Sequence, residues 1–174
     1  DTDEVIMAEF VETKNEDLQV FCTTHAGYGL RYLLNEVPTI GARTSGVKCM
    51  DLRDDFLISV SLVSEHDEVA IVTQRGAFKK MKVDKIPENS RARRGVQILR
   101  ELKRNPHRIF FAKPVIETDK LIIETTAGEK IELSVSDHPS CDRYSNGSFV
   151  LDTDSQGDPC LVTIVRQETD SEDE

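Results

Sequence analysis

The chain has 174 residues, the usual size of one domain, and its 22 basic and 32 acidic residues give a net charge of −10. This acidic balance excludes a surface that binds polyanions indiscriminately, and the apolar runs are shorter than the roughly 18 residues of a membrane-spanning helix. No secretory signal opens the sequence, so a cytoplasmic protein is expected.

The first predicted element is a strand over residues 4–11, which we interpret as the closing strand of a preceding unit. Three repeat units follow, over about 12–63, 64–115 and 116–167, and together with the first strand they form one domain, 1–167. Each unit has a threonine, a glycine three residues later, a proline eleven residues after that and a second glycine eight residues further. These positions are Thr24, Gly27, Pro38 and Gly46, then Thr73, Gly76, Pro87 and Gly95, then Thr125, Gly128, Pro139 and Gly147. A period near 50 residues is typical of propellers and solenoids.

The local pattern in every unit favours strands. A β-branched run precedes each Thr-x-x-Gly, and apolar residues alternate with polar ones after it, as at Met81 and Val83 in the second unit. A closing strand is predicted in each unit, at Phe56–Val63, Arg108–Ala112 and Cys160–Val165. The fold is therefore expected to be all-β, with three consecutive blades of four antiparallel strands that form part of a larger ring.

Two segments need separate treatment. The composition of Gly95–Arg104 suits a helical turn as well as a strand, and the repeat frame favours the strand. The acidic segment 168–174 has no apolar residue and is expected to be disordered. The four cysteines, Cys22, Cys49, Cys141 and Cys160, are interpreted as free thiols because their spacing is wide and irregular.

Basic residues are concentrated in one part of the chain. Residues 74–108 hold twelve basic and three acidic residues, a net charge of +9, whereas the rest, with 10 basic and 29 acidic residues, carries −19. Such a contrast indicates a polyanion site, and the alternative is a solvated face with internal ion pairs. Lys80 and Lys82 alternate with Met81 and Val83 and are expected to project from the sheet. The candidate DNA-binding residues are Arg75, Lys79, Lys80, Lys82, Arg91, Arg93, Arg94, Lys103 and Arg104. Phe78 is the only aromatic residue of 74–108, which favours phosphate contacts with duplex DNA over base stacking.

Signals for an enzyme are weak. Gly27-Tyr28-Gly29 lacks the further residues of a nucleotide-binding loop and is interpreted as a turn. Cys22-x-x-His25 and His138-x-x-Cys141 could form two halves of a zinc site, but Cys22 occupies the position that holds Ile71 in the second unit. Core packing is therefore the preferred interpretation, and neither a metal nor a cofactor is expected.

Two segments carry a resemblance to a known family: T-Q-R-G-A-F-K-K-M-K-V at 73–83 and R-A-R-R-G-V-Q-I-L-R-E-L-K-R-N-P-H-R-I at 91–109. They resemble the C-terminal DNA-binding domain of the bacterial gyrase A and topoisomerase IV A family. The box Q-R-R-G-G-K-G of gyrase is absent, and 91–96 echoes it only in part, so the resemblance is to the topoisomerase IV branch. It implies a β-pinwheel, a propeller-like fold whose blades exchange strands and bend DNA around a basic outer rim.

The resemblance also implies a non-catalytic module. The ATPase and the tyrosine that cleaves DNA would lie outside this chain, so Tyr28, Tyr32 and Tyr144 are not given that role. The implied partners are duplex DNA, the remainder of the topoisomerase IV A subunit and the B subunit of that enzyme, with neither a membrane nor a small-molecule substrate. Because the first residue is Asp1 and three blades are fewer than the four to eight of a closed propeller, the chain is expected to be part of a longer domain. The alternatives are a protein-binding repeat domain with an acidic working surface and, third, an independent enzyme.

Overall fold

The computed structural model describes residues 4–12 and 17–167, which form the predicted all-β fold. Its elements are β1 (Gln19–Thr24), β2 (Tyr28–Leu33), β3 (Leu57–Val63), β4 (Glu68–Thr73), β5 (Ala77–Lys82), β6 (Val96–Gln97), β7 (Ile109–Val115), β8 (Lys120–Thr125), β9 (Lys130–Ser134), β10 (Ser148–Phe149), α1 (Thr153–Gln156) and β11 (Pro159–Val165). A 3₁₀ turn of three residues follows β2, β5 and β9. The acidic segment 168–174 lies outside the described residues.

Each unit opens with a hairpin that turns at its Thr-x-x-Gly motif. In the second unit the Gly76 amide donates to the Thr73 carbonyl oxygen at 2.9 Å, and the Thr73 hydroxyl oxygen accepts from the Ala77 amide at 3.2 Å. The other two units repeat both bonds. The three motif glycines have φ between +82° and +91°, a region that glycine enters without steric cost. The prediction that these turns are equivalent is confirmed.

Neighbouring sheets exchange their outer strands. The strand orders are β3-β1-β2-β6, β10-β5-β4-β7 and β11-β8-β9. Strand β6 belongs to the second unit by sequence but pairs with β2 of the first, and β10 of the third unit pairs with β5 of the second. The third sheet has three strands within the described residues. The loop that precedes each exchanged strand therefore lies on the rim of the preceding sheet.

The closing strands β3, β7 and β11 occupy the opposite edge of their sheets, where they approach one another. That 4–11 closes a preceding unit stays a prediction, and within the described chain this segment pairs with no strand. Instead, Ile6 and Met7 line a groove of about 550 Å³ against the closing strands.

Two of the three apolar clusters formed by the described residues lie between sheets. The first joins the first and second sheets, and its members include Phe21, Ile71, Met81, Ile98 and Ile109. The second joins the second and third sheets, and its members include Val72, Phe78, Leu121, Val135 and Leu151. The second sheet is thus covered on both faces, and this cover determines which of its lysines reach solvent.

The segment 95–104 contains no helix. Only Val96–Gln97 is a strand, and the residues after it form bends as the chain passes over the first hairpin turn. The Ile98 amide donates to the Gly27 carbonyl oxygen at 2.8 Å, and the Leu99 side chain packs against Gly27. The preferred strand interpretation is therefore confirmed for two residues only. The short helix α1 was not predicted.

Candidate functional site

Strand exchange places the loop 91–95 on the first sheet. The Ala92 amide donates to the Cys49 carbonyl oxygen at 3.1 Å, and the Asp51 amide donates to the Arg93 carbonyl oxygen at 2.9 Å. Gly95 lies directly on the Gly29 backbone. The basic loop of the second unit is thus part of the first blade's rim, whereas the sequence order suggested the rim of the second.

The three arginines of this loop have different surroundings. Arg91 is held inward, because its amide donates to a Glu36 carboxylate oxygen at 2.6 Å and its guanidinium donates to the carbonyl oxygens of Glu36 and Lys48. Arg93 is exposed and makes only a long contact of 3.4 Å with the Ser90 hydroxyl. The guanidinium of Arg94 lies over the ring of Tyr28, 4.0 Å from its centroid. Arg93 and Arg94 therefore keep donors for a ligand, and Arg91 is a structural residue of the loop.

Lys79 is completely buried, so its assignment to the DNA-binding set is corrected. Its ammonium donates to the carbonyl oxygens of Ile98, Arg143 and Ser145, the last at 2.9 Å. Burial lowers the pKa of Lys79 to about 8. Lys79 ties the outer segments of the second and third units together and presents no donor to solvent.

Lys80 is also buried, and the expectation that it projects outward is wrong. Its ammonium lies 2.9 Å from a Glu117 carboxylate oxygen and 3.4 Å from one of Glu68. Burial opposes the charge of the ammonium, but the two carboxylates raise the pKa of Lys80 above its ordinary value. The alternation argument holds for a half-exposed sheet, and it fails here because the third sheet covers this face. Lys82, at the end of β5, is exposed as expected.

Arg75 is engaged at the tip of the β4–β5 hairpin. Its guanidinium donates to the Asn105 carbonyl oxygen at 2.9 Å, lies 3.3 Å from Nε2 of His107 and sits over the ring of Phe149, 5.4 Å from the centroid. Burial, together with the charge of Arg75, lowers the pKa of His107. Arg75 mainly fastens β10 and the loop before β7 to the hairpin.

Five basic residues of 74–108 are exposed and make no ion pair or side-chain hydrogen bond with the described part of the chain. They are Lys82, Lys85, Arg100, Lys103 and Arg104. Lys85 and Arg100 were counted in the basic segment but not selected as candidates. Arg100 is exposed where the chain passes the first hairpin turn, and Lys85 ends the 3₁₀ turn that follows β5. The repeat frame alone does not reveal these positions.

Neither a metal site nor a membrane span is found in the described residues. Over 4–12 and 17–167, no three His, Cys, Asp or Glu side chains are grouped to hold a metal ion. No helix in the same ranges is long and apolar enough to cross a membrane. Cys22 is buried in an apolar cluster with Val20, Leu30, Tyr32 and Met50, as the core interpretation expected.

A family model described as the DNA gyrase C-terminal domain, a β-propeller, matches residues 19–64 and 67–116, more than half of the chain. The chain belongs to this family. The resemblance noted in the sequence is thereby confirmed, and so is the exchanged, propeller-like arrangement of sheets that it implied.

Several proteins are similar to this member of the gyrase C-terminal family. The A subunit of DNA topoisomerase 4 from Bacillus subtilis is 42% identical over 148 residues, which cover 84% of this chain and 18% of the relative. The corresponding protein of Streptococcus pneumoniae is 33% identical over 88% of this chain and 20% of the relative. The chain spans about a fifth of the length of these relatives.

Two solved structures share the fold. The C-terminal domain of DNA topoisomerase IV superposes with a TM-score of 0.81 and 40% identity, over 87% of this chain and 47% of that one. The C-terminal domain of DNA gyrase A superposes with a TM-score of 0.72 and 20% identity, over 86% of this chain and 51% of that one. The higher identity lies with the topoisomerase IV domain, in agreement with the absent gyrase box.

Proposed function

We propose that this chain is a non-catalytic module of the topoisomerase IV A subunit that binds and bends duplex DNA. It presents the duplex to a catalytic core during decatenation and relaxation of supercoils. The similar full-length proteins are named DNA topoisomerases, and the chain spans about a fifth of their length. In this proposal the catalytic tyrosine and the ATPase lie in other parts of the enzyme, an ATP-dependent type II topoisomerase.

The observation that carries the proposal is a run of solvent-accessible cations along one continuous segment. Arg93 and Arg94 lie on the rim of the first sheet, and Arg100, Lys103 and Arg104 follow where the segment passes the first hairpin turn. None of these five side chains forms an ion pair with the described residues. On a protein with a net charge of −10, such a local excess of positive charge favours contacts with phosphates that do not depend on base sequence.

The proposed bending follows from the rigidity of the rim. Exchanged strands fasten each outer segment to its neighbouring sheet, as in the pairs Gly29–Val96 and Phe78–Ser148. A duplex that follows cations around such an edge must curve, and a bend of 40–90° over 20–30 base pairs costs about 1–6 kcal/mol. Several phosphate contacts are needed to offset that cost.

The proposed partners are duplex DNA, the remainder of the topoisomerase IV A subunit and, in the holoenzyme, the B subunit. The proposed location is the bacterial cytoplasm, in association with the chromosome. These proposals rest on the family and on the relatives that the chain resembles.

The direct test is the affinity for a 30-base-pair duplex, measured by fluorescence anisotropy between 50 and 200 mM salt. Five phosphate contacts at about −0.9 each give an expected slope of log affinity against log salt of roughly −4 to −5. End-labelled duplex would report bending as increased energy transfer. Binding without salt dependence, or no binding at 50 mM salt, would overturn the proposal and favour the protein-binding alternative.

A further inference from the structure

A cleft of about 460 Å³ lies beside the tip of the β1–β2 hairpin, where the first and second units meet. Three arginines and one histidine contribute to its walls: Arg53, Arg94, Arg108 and His25. Arg53 and His25 belong to the first unit, and the other two belong to the second. Backbone hydrogen bonds fix the junction, since the Ile109 amide donates to the His25 carbonyl oxygen at 2.9 Å.

Arg94 and Arg108 are held in place by contacts that leave donors available. Arg94 stacks on Tyr28 through the face of its guanidinium and makes no hydrogen bond through its edge to the described residues. Arg108 is held by Glu101, with two nitrogen–oxygen distances of 3.1 Å, and its guanidinium also donates to the His107 carbonyl oxygen at 2.8 Å. Its side chain is 25% exposed, and its Nε forms no hydrogen bond with the described residues. Both cations are thus positioned before any ligand arrives.

His25 and Arg53 complete the opposite wall. The imidazole of His25 stacks on the ring of Phe56, with centroids 4.4 Å apart. Arg53 has a left-handed backbone, with φ of +54°, and its side chain is 65% exposed. Its Nε lies 3.6 Å from a carboxylate oxygen of Asp51, and its two terminal nitrogens form no hydrogen bond with the described residues. Asn105 holds the equivalent turn before β7, with φ of +48°. Asparagine suits this conformation better than arginine does, so Arg53 is not explained by the needs of the turn.

The two carboxylates of the cleft have different roles. Asp55 accepts hydrogen bonds from the backbone amides of Ala26 and Phe56, at 3.1 and 2.9 Å, so it stabilises the hairpin tip. Asp54 is exposed and forms no ion pair with the described residues. Asp54 is therefore the one carboxylate free to oppose an anion there.

We propose that this cleft binds one phosphodiester of duplex DNA, with Arg53, Arg94 and Arg108 as donors. The inference rests on the proposed function and adds the first unit's hairpin tip to the binding surface. The loop that ends at Arg108 also carries Lys103 and Arg104, so a duplex on those cations passes the mouth of the cleft. A phosphate there would receive charge-assisted hydrogen bonds from two repeats at once.

The test compares charge-removing variants of the 174-residue chain by anisotropy with the same duplex. Arg53→Asn keeps the left-handed turn, as Asn105 does, and Arg94→Gln removes the stacked cation. Each should reduce the magnitude of the salt slope by about 0.9, and the double variant by about 1.8. Asp54→Asn should strengthen binding at 50 mM salt. Lys113→Gln, on the exposed side of β7, is the matched control and should leave the slope unchanged.

The outcomes separate the cleft from the proposed function. If the parent chain binds with the expected slope while Arg53→Asn and Asp54→Asn bind like the parent, the cleft proposal is overturned and the proposed function stands. If the parent chain shows no salt-dependent binding, the proposed function is overturned, and the cleft proposal that rests on it is overturned as well. Binding of inorganic phosphate at His25, followed by NMR, together with an unchanged slope for Arg53→Asn, would identify a free-anion site and also overturn the proposal.

Discussion

Gly95 faces the carbonyl oxygen of Gly29 so closely that a Cβ on Gly95 would lie 2.1 Å from that oxygen. This close approach places the basic loop 91–95 against the rim of the first sheet. Gly95 has a φ of +80° in that position. We expect Gly95→Ala to lower the free energy of unfolding by about 3 kcal/mol or more, because it combines a left-handed alanine with a backbone clash. Thermal and urea unfolding would measure this.

Gly46 provides the matched control for that substitution. It occupies the same position in the first unit with φ of +81°, but no atom lies within 4 Å of its hypothetical Cβ. Gly46→Ala should cost only the backbone term, about 1 kcal/mol. Equal losses of stability in the two variants would contradict the close packing of Gly95 on the first sheet.

Lys79 should make the free energy of unfolding depend on pH in the alkaline range. Its folded pKa of about 8 lies below the ordinary 10.5, so between these values the unfolded chain holds a proton that the folded chain has lost. Stability therefore rises with pH over this window, by up to about 3 kcal/mol, and the gain is lost as pH falls through 8. The difference in unfolding free energy between the parent and Lys79→Met, measured from pH 7 to 11, isolates this contribution.

At neutral pH, Lys79→Met should also be less stable, by about 1–3 kcal/mol, because three carbonyl oxygens lose their donor. A variant with the same pH profile as the parent would show that Lys79 keeps an ordinary pKa in the folded state.

Lys80 and Lys82 are two residues apart and should behave in opposite ways. Lys80→Gln removes the buried ammonium that contacts the carboxylates of Glu68 and Glu117 and should lower stability by about 1–3 kcal/mol without changing the salt slope of DNA binding. Lys82→Gln should leave stability unchanged and reduce the slope by up to about 0.9. A slope change in Lys80→Gln equal to that in Lys82→Gln would mean that Lys80 reaches DNA.

The repeat frame was sufficient to predict the all-β class and the equivalent turns. The threonine and glycine of the turn, Thr73 and Gly76 in the second unit, recur at fixed spacing in all three units. Each turn needs a hydroxyl oxygen as acceptor and a residue that tolerates a positive φ. Burial of Met81 and Val83 also followed from the alternation of apolar residues. These features are local, so the sequence of a single unit is sufficient to predict them.

Features that depend on the neighbouring unit were harder to predict. Lys79 and Lys80 are buried because neighbouring sheets cover both faces of β5. The alternation of apolar and polar residues within one strand predicts one buried face, and it cannot show that a neighbouring sheet also covers the other. The inward anchoring of Arg91 depends on Glu36 and Lys48, which are distant in sequence. Two lysines of the candidate set, Lys79 and Lys80, are therefore core residues, and the DNA-binding role of its other members stays a prediction.

The salt slope of a triple variant tests the central claim most directly. Arg93, Lys103 and Arg104 are exposed along the proposed rim, and replacing all three with alanine removes no contact of the core. We expect the slope of log affinity against log salt to flatten by about 2.7, with weaker binding to every duplex sequence and an unchanged melting temperature. A triple variant that binds with the parent's affinity and slope would contradict the account and leave the basic segment as a solvated face.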